Sequence, residues 1–125
     1  MDNSMDNSMD NSMMDDCIFC KIARGEISAE FVYKDDKVFV VRDVNPQAPT
    51  HLLIIPTQHV VSAVEVDDPN VWALVMGRAV AVAHDLGLNE KGFRMVVNTG
   101  EQSGQTVPHL HLHLLSGRDF GWPPG

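Results

Sequence analysis

The sequence predicts an α+β domain: an antiparallel sheet of about five strands, one long helix across a face, and a short N-terminal helix. Three observations lead there. Short β-prone runs follow one another between turn-forming residues, and one long segment carries helical periodicity with a cap at each end. A length of 125 residues supports one hydrophobic core and not two.

Residues 1–12 are three identical copies of Met-Asp-Asn-Ser. So polar a repeat has no hydrophobic face to bury, so 1–16 reads as a disordered tail and 17–125 as the folded domain. Ile18 to Ala23 gives one or two helical turns ended by Gly25. Phe31–Tyr33 and Lys37–Val41 flank Asp35-Asp36 and read as a hairpin. Asn45 to Pro49 holds two prolines and is a loop, and His51–Ile55 is a third strand stopped by Pro56. The long helix follows. Asp68 suits the N-cap, Pro69 the first helical position and Gly87 the C-terminal cap, with Val71, Leu74, Val75, Val82 and Leu86 at helical spacing. Phe93–Asn98 and His109–Leu115 are the fourth and fifth strands.

Composition narrows the function classes. Hydrophobic residues at 44% and charged residues at 21% are ordinary for a soluble globular domain. No apolar run is long enough to span a bilayer, and the N-terminus lacks the order of a secretory signal, so a cytoplasmic or nuclear location is expected. Of the net charge of −8, five Asp in 1–16 account for most, leaving −3 on the domain. That balance argues against capture of long nucleic acid, which rests on basic patches, but not against a single nucleotide held by backbone amides.

The chemistry concentrates in His109-Leu110-His111-Leu112-His113-Leu114-Leu115. On a strand, alternate side chains share a face, so the leucines take one side and the histidines form a row about 6.5–7 Å apart on the other. Such a row can ligate zinc, or it can supply an imidazole nucleophile with polarising partners; a solvated polar face is the bland alternative. The preceding segment, Asn98 to Pro108, is rich in glycine, amide and hydroxyl groups, which suit an anion nest. A phosphate beside a row of histidines favours phosphoryl or nucleotidyl chemistry. Cys17 and Cys20 form a Cys-x-x-Cys pair without the βαβ setting of a thioredoxin-like redox centre. His84, on the long helix, reads as a surface or packing residue.

The string His109–Leu115 resembles the signature of histidine-triad proteins, His-φ-His-φ-His-φ-φ with φ apolar. The blocks Cys17–Ile22, Pro46–His51, Arg94–Asn98 and Trp122–Gly125 are similar to the Hint branch of that family, and the likeness spans 17–125. It implies a HIT-like fold and a purine nucleoside phosphoramidase that works through a covalent nucleotidyl-histidine and needs no catalytic cofactor. His111 is then the nucleophile, oriented by the backbone carbonyl of His109, with His113 and His51 as partners at the phosphate. Thr106 stands where the branch usually has Ser, and keeps the hydroxyl. Asn98, Gly104, Gln105, Thr106 and Val107 match positions around the phosphate and leaving group. Asp43, with Val44, matches the ribose site, and Ile18, Phe19, Ile22, Val41 and Leu53 the apolar slot for the base. Pro108 stands where an aromatic residue is frequent.

The resemblance also implies structural zinc at Cys17, Cys20, His59 and His109, against the rival of two inert thiols. It implies a homodimer through the long helix and the strand near Phe93–Asn98, with Trp122 reaching the partner's nucleotide site. Two other functions stay open: a nucleotide-binding scaffold with incidental catalysis, and a dinucleoside polyphosphate hydrolase of the Fhit type, which the Trp-Pro-Pro-Gly ending disfavours. A zinc hydrolase using the triad as ligands is a third.

Overall fold

The computed structural model describes residues 16–125; the expectation for the Met-Asp-Asn-Ser repeat lies outside these residues. The chain runs α1 (Ile18–Ala23), β1 (Phe31–Lys34), β2 (Val38–Arg42), β3 (Thr50–Pro56), α2 (Pro69–Asp85), β4 (Arg94–Val96) and β5 (Leu112–Ser116). The strands form one sheet in the order β1-β2-β3-β5-β4, every pairing antiparallel. This is the α+β architecture that the sequence predicts.

Local chemistry accounts for each element. The Cys17 sulfur caps α1 by accepting from the Cys20 N–H. At the hairpin, Asp35 accepts from the Lys37 and Val38 N–H groups at 2.8 Å each, and Arg78 of α2 bonds the same carboxylate at 2.7 Å, tying the turn to the helix. Asp68 caps α2 by accepting from Asn70 N–H, and Pro69 opens it. At the other end Gly87 adopts φ 74°, and the Leu88 and Gly87 N–H groups return to the carbonyls of Ala83 and His84, a Schellman ending.

Strand alternation divides the core. Val38, Val40, Leu52, Ile54, Leu110, Leu112 and Leu114 pack against Val71, Val75, Ala79, Val82 and Ala83 of α2. On the opposite face Phe39, Val41, Leu53 and Ile55 meet Cys17, Phe19, Cys20 and Ile22 of α1. Because β2 and β3 are covered on both sides, their sequences read as continuous apolar runs. Leu86 is 46% exposed at the end of α2, so the predicted apolar stripe stops short of it, and Ala79 and Ala83 supply the close packing instead.

Two strands are shorter than predicted. β4 covers Arg94–Val96 rather than Phe93–Asn98, because it is the edge strand and pairs only with β5. β5 begins at Leu112, not His109. Pro108 offers no N–H, His109 N–H turns back to Val107 O, and Leu110 N–H goes to Val60 O, so the ladder cannot start earlier.

Replacing the fully buried Leu114 by Ala should cost about 2–5 kcal/mol, read as a lower urea midpoint with unchanged slope. Val64→Ala, at a position 77% exposed, should stay within about 0.5 kcal/mol.

Candidate functional site

A cleft of about 880 Å³ opens on the sheet face away from α2. One wall is α1 and the segment after it, with Ile18, Phe19, Ile22, Ile27, Ser28, Ala29 and Glu30. Val41, Leu53 and His51 form the floor, Arg42 to Asn45 and Gln47 the rim. Asn98, Gly104, Thr106 and Val107 border the far side, where His111 and His113 enter from β5 and the residue before it. The Ile18, Phe19, Ile22, Val41 and Leu53 part of the lining is apolar; the other part carries imidazoles, a hydroxyl and an amide.

Hydrogen bonds assign the proton positions on these imidazoles. His111 Nδ1–H donates to the His109 carbonyl at 2.7 Å, which leaves the Nε2 lone pair free. The backbone N–H of Gln47 lies 3.0 Å from His51 Nδ1 and can only donate, so His51 carries its proton on Nε2. That Nε2–H donates to His113 Nδ1 at 2.9 Å, with Asp43 Oδ2 farther off at 3.4 Å. His113 must then hold its own proton on Nε2. Two adjacent imidazoles, with centroids 5.1 Å apart, thus have opposite roles: His111 offers a lone pair and His113 a donor.

Burial disfavours the charged form of His113 and His51. Burial pushes His113 down to about 4, reinforced by His111 and His51 and opposed by Asp43. Burial also lowers His51, outweighing the pull of the Asp43 carboxylate. Phe19 packs edge-on to both His109 and His111, with centroids 5.7 and 5.2 Å away.

Behind this site lies a second cluster. One ligand atom from each of Cys17, Cys20, His59 and His109 falls within 4.8 Å of the others. Cys17 Sγ is 3.2 Å and Cys20 Sγ 3.5 Å from His109 Nδ1, and Cys20 Sγ is 3.1 Å from His59 Nδ1. A tetrahedral ion with metal–nitrogen bonds of about 2.0–2.1 Å and metal–sulfur bonds of about 2.3 Å sets such donors about 3.3–3.8 Å apart. The chemistry agrees. His109 Nε2–H donates to Pro56 O at 2.8 Å, which turns the Nδ1 lone pair toward the thiols. Without a metal, burial and the neighbouring Cys17 push the Cys20 thiol up to about 12, a cost that coordination as thiolate removes. This cluster can hold a metal ion.

Asp43, His51 and His113 also bring ligand atoms within 4.8 Å of one another. There the tautomers oppose a metal: Gln47 N–H forces the proton onto the very nitrogen that would ligate. One histidine group can therefore hold a cation, and the other sets a proton donor beside a lone pair.

Most of the sequence-predicted residues converge. Ile18, Phe19, Ile22, Val41, Asp43, Val44, His51, Leu53, Asn98, Gly104, Thr106, Val107, His111 and His113 all line the cleft. Three do not. His109 turns its ring to the cysteines, away from the row on the strand face and toward the set the family resemblance implied. Gln105 spends its amide on the loop, accepting from Gly100 N–H and donating to Val61 O and Val107 O. Trp122 is 85% exposed and outside this chain's cleft. Sequence reasoning missed the 27–30 wall, which has no periodicity, and the Gln47 amide, whose only signal is the turn-prone Pro46–Pro49 context before His51. His84 is exposed on α2.

Comparison with known proteins agrees with this fold. The HIT domain matches residues 24–120. The chain is 49% identical over 113 residues to an uncharacterised HIT-like protein of Synechocystis sp., covering 89% of this chain and 98% of that protein. It is 43% identical over 111 residues to a purine nucleoside phosphoramidase of Escherichia coli K12, covering 86% and 92%. Among solved structures, a HIT family hydrolase from Legionella pneumophila superposes with a TM-score of 0.85 at 48% identity, over 88% of this chain and all of that one. A histidine triad nucleotide-binding protein from Candida albicans superposes at 0.75 and 29% identity, over 87% and 84%. The chain belongs to the HIT-domain, or histidine triad, family, and its likeness to a purine nucleoside phosphoramidase agrees with the Hint-branch character of its sequence.

Proposed function

We propose that this protein is a hydrolase of purine nucleoside phosphoramidates that acts at the α-phosphate through a nucleotidyl group on His111. One observation carries the reading: a lone pair on His111 Nε2, fixed by the bond to His109 O, stands beside a proton held on His113 Nε2. The base takes the apolar slot of Ile18, Phe19, Ile22, Val41 and Leu53, and Asp43 with Val44 meets the ribose. His111 Nε2 attacks phosphorus, a bond to nitrogen forms, and the bond to the leaving amine breaks. The amine takes a proton from His113, or from Thr106 where that hydroxyl is nearer. Water then attacks the nucleotidyl-histidine, returns a proton to the same group and frees the nucleoside monophosphate and His111. Asn98, the amides near Gly104 and Gln105, and the Thr106 hydroxyl stabilise the charge that grows on the phosphoryl oxygens.

No helix among the described residues is long and apolar enough to cross a membrane. A cytoplasmic setting, with nuclear entry, and a nucleotide rather than long nucleic acid as ligand fit the acidic domain. We assign zinc to Cys17, Cys20, His59 and His109, where it would cross-link α1 to the segments after β3 and before β5. A homodimer through α2 and β4 is consistent with the half-exposed edge strand and with Met76 and Val80 exposed on α2. Trp122 would then reach the partner's cleft.

His111→Ala should remove all but a few per cent of turnover of an adenosine phosphoramidate while leaving adenosine monophosphate binding within about threefold, since the nucleophile is a minor contact. Mass spectrometry of quenched wild-type protein should find the nucleotide on His111, and diadenosine triphosphate should be the poorer substrate. A variant that keeps substantial activity rules out the covalent route.

Protein purified without chelator should carry close to one zinc per chain by elemental analysis. A much lower stoichiometry after growth in ample zinc removes the metal assignment.

Folded His51 and His113 bind protons less readily than their unfolded counterparts near 6.5, and His113 only at about 4. Between these values the unfolded chain holds more protons, so stability is complete above about pH 6.5 and declines as pH falls toward 4. Unfolding midpoints measured from pH 8 to 4 should follow that course, and His113→Asn should flatten it. An unchanged slope in the variant means that His113 is not the group concerned.

A further inference from the structure

The tautomer of His51 depends on the N–H of Gln47, which sits in an exposed turn with no strand partner. Within the turn, Asp43 Oδ1 accepts from Asn45 N–H and the Gln47 side chain donates to Asn45 O. Both are local bonds. A longer-range anchor comes from the other end of the chain: Arg118 Nε donates to Gln47 O at 2.8 Å.

Arg118 is itself prepared for this. Its guanidinium lies 4.3 Å from the Phe120 ring centroid and also donates to Asp119 O. Arg94 packs on the same ring at 5.1 Å and bonds Gly121 O. Gly117, at φ 99°, turns the chain as it leaves β5, and a Cβ there would fall 2.8 Å from Pro49 Cβ. The chain after β5 is thus pressed against the 45–49 turn. A single strand therefore bears His113 and delivers, two residues past its end, the side chain that grips the turn controlling His113's partner.

We propose that Arg118 is a positioning residue for the imidazole relay: by holding Gln47, it keeps the Gln47 N–H on His51 Nδ1 and so keeps the relay proton directed through His51 Nε2 to His113. The inference rests on the catalytic reading of His111 and His113, but its effect on the His51 tautomer can be seen without turnover. Loss of Arg118 frees the turn, lets His51 populate the Nδ1–H form, and leaves His113 without a defined donor state. Arg118 itself does not line the cleft.

The test uses the full-length protein with Arg118→Ala and Arg118→Lys, each alone and with His51→Ala. With an adenosine phosphoramidate, Arg118→Ala should lower kcat about tenfold, the scale of one lost hydrogen bond in the reacting arrangement, with KM unchanged. Arg118→Lys, which can still donate to the carbonyl, should recover most of the loss. In the His51→Ala background the Arg118 substitution should have no further effect. Nitrogen NMR of the histidine rings should show His51 moving from a single Nε2–H form to a mixture in Arg118→Ala. Equal losses in both backgrounds, a rise in KM alone, or an unchanged His51 spectrum overturns the proposal. An altered spectrum in a protein whose His111→Ala variant stays active upholds the positioning role and rejects the catalytic reading instead.

Discussion

The bond from His111 Nδ1–H to the carbonyl of His109, at 2.7 Å, orders much of the rest of the molecule. It requires the His109 backbone to be held without the help of a strand ladder. That is supplied by the His109 side chain, fixed at one nitrogen by Pro56 O and directed at the other toward Cys17 and Cys20. The carbonyl that orients the candidate nucleophile and the ring that faces the metal-type cluster therefore belong to one residue. Leu110, fully buried and bonded to Val60 O, secures the chain between His109 and His111 from the helix side of the sheet. A short irregular stretch before β5 is in this way made rigid from three directions. Loops usually carry function because a scaffold positions them, and here the scaffold reaches into the loop itself.

The sheet explains why the two clusters can be so close and yet distinct. β3 and β5 pair with Leu53 opposite His113 and Leu115 opposite His51, which places His51 diagonal to His113 on one face. That diagonal allows the Nε2–Nδ1 bond. The residues between them, Leu52 and Leu114, point the other way into the core beneath α2. A slip of one residue would put leucines in the cleft and histidines in the core, so core packing enforces the register that the site needs.

Much of this was legible in the sequence because it rests on local rules. The α2 caps at Asp68 and Gly87, the Asp35-Asp36 hairpin and the alternation of leucine with histidine follow from side-chain chemistry within a few residues. The triad motif located the cleft cluster, and the resemblance it carries to the histidine triad family joined His59 and His109 to the Cys17–Cys20 pair. What was not legible depends on distant backbone groups. Pro56 O, Val60 O and Gln47 N–H decide where β5 starts and which nitrogen of His109 and of His51 bears the proton, and a carbonyl or amide looks the same in every sequence. The 27–30 wall was equally silent, since its residues obey no period. Alternation alone put three rings on one face; the family resemblance set His109 apart with the cysteines, and the bond to Pro56 O is what turns its ring there.

Those backbone groups also resolve an ambiguity that residue type leaves open. Both His109 and His51 lie beside potential ligands, and by composition either group offers donors to a cation. A metal-binding imidazole needs its far nitrogen to donate, since the near one must present a lone pair. His109 meets that condition through Pro56 O. His51 meets the reverse, because Gln47 N–H occupies its far nitrogen as a donor and leaves the proton on the near side. A cation at His51 would have to displace this proton, and would leave a ring deprotonated at both nitrogens or break the Gln47 bond. These bonds favour coordination on the buried cysteine side and leave a donor and a lone pair facing the open cleft. The direction of two backbone hydrogen bonds, one accepting and one donating, separates the chemistry of clusters only one residue's width apart.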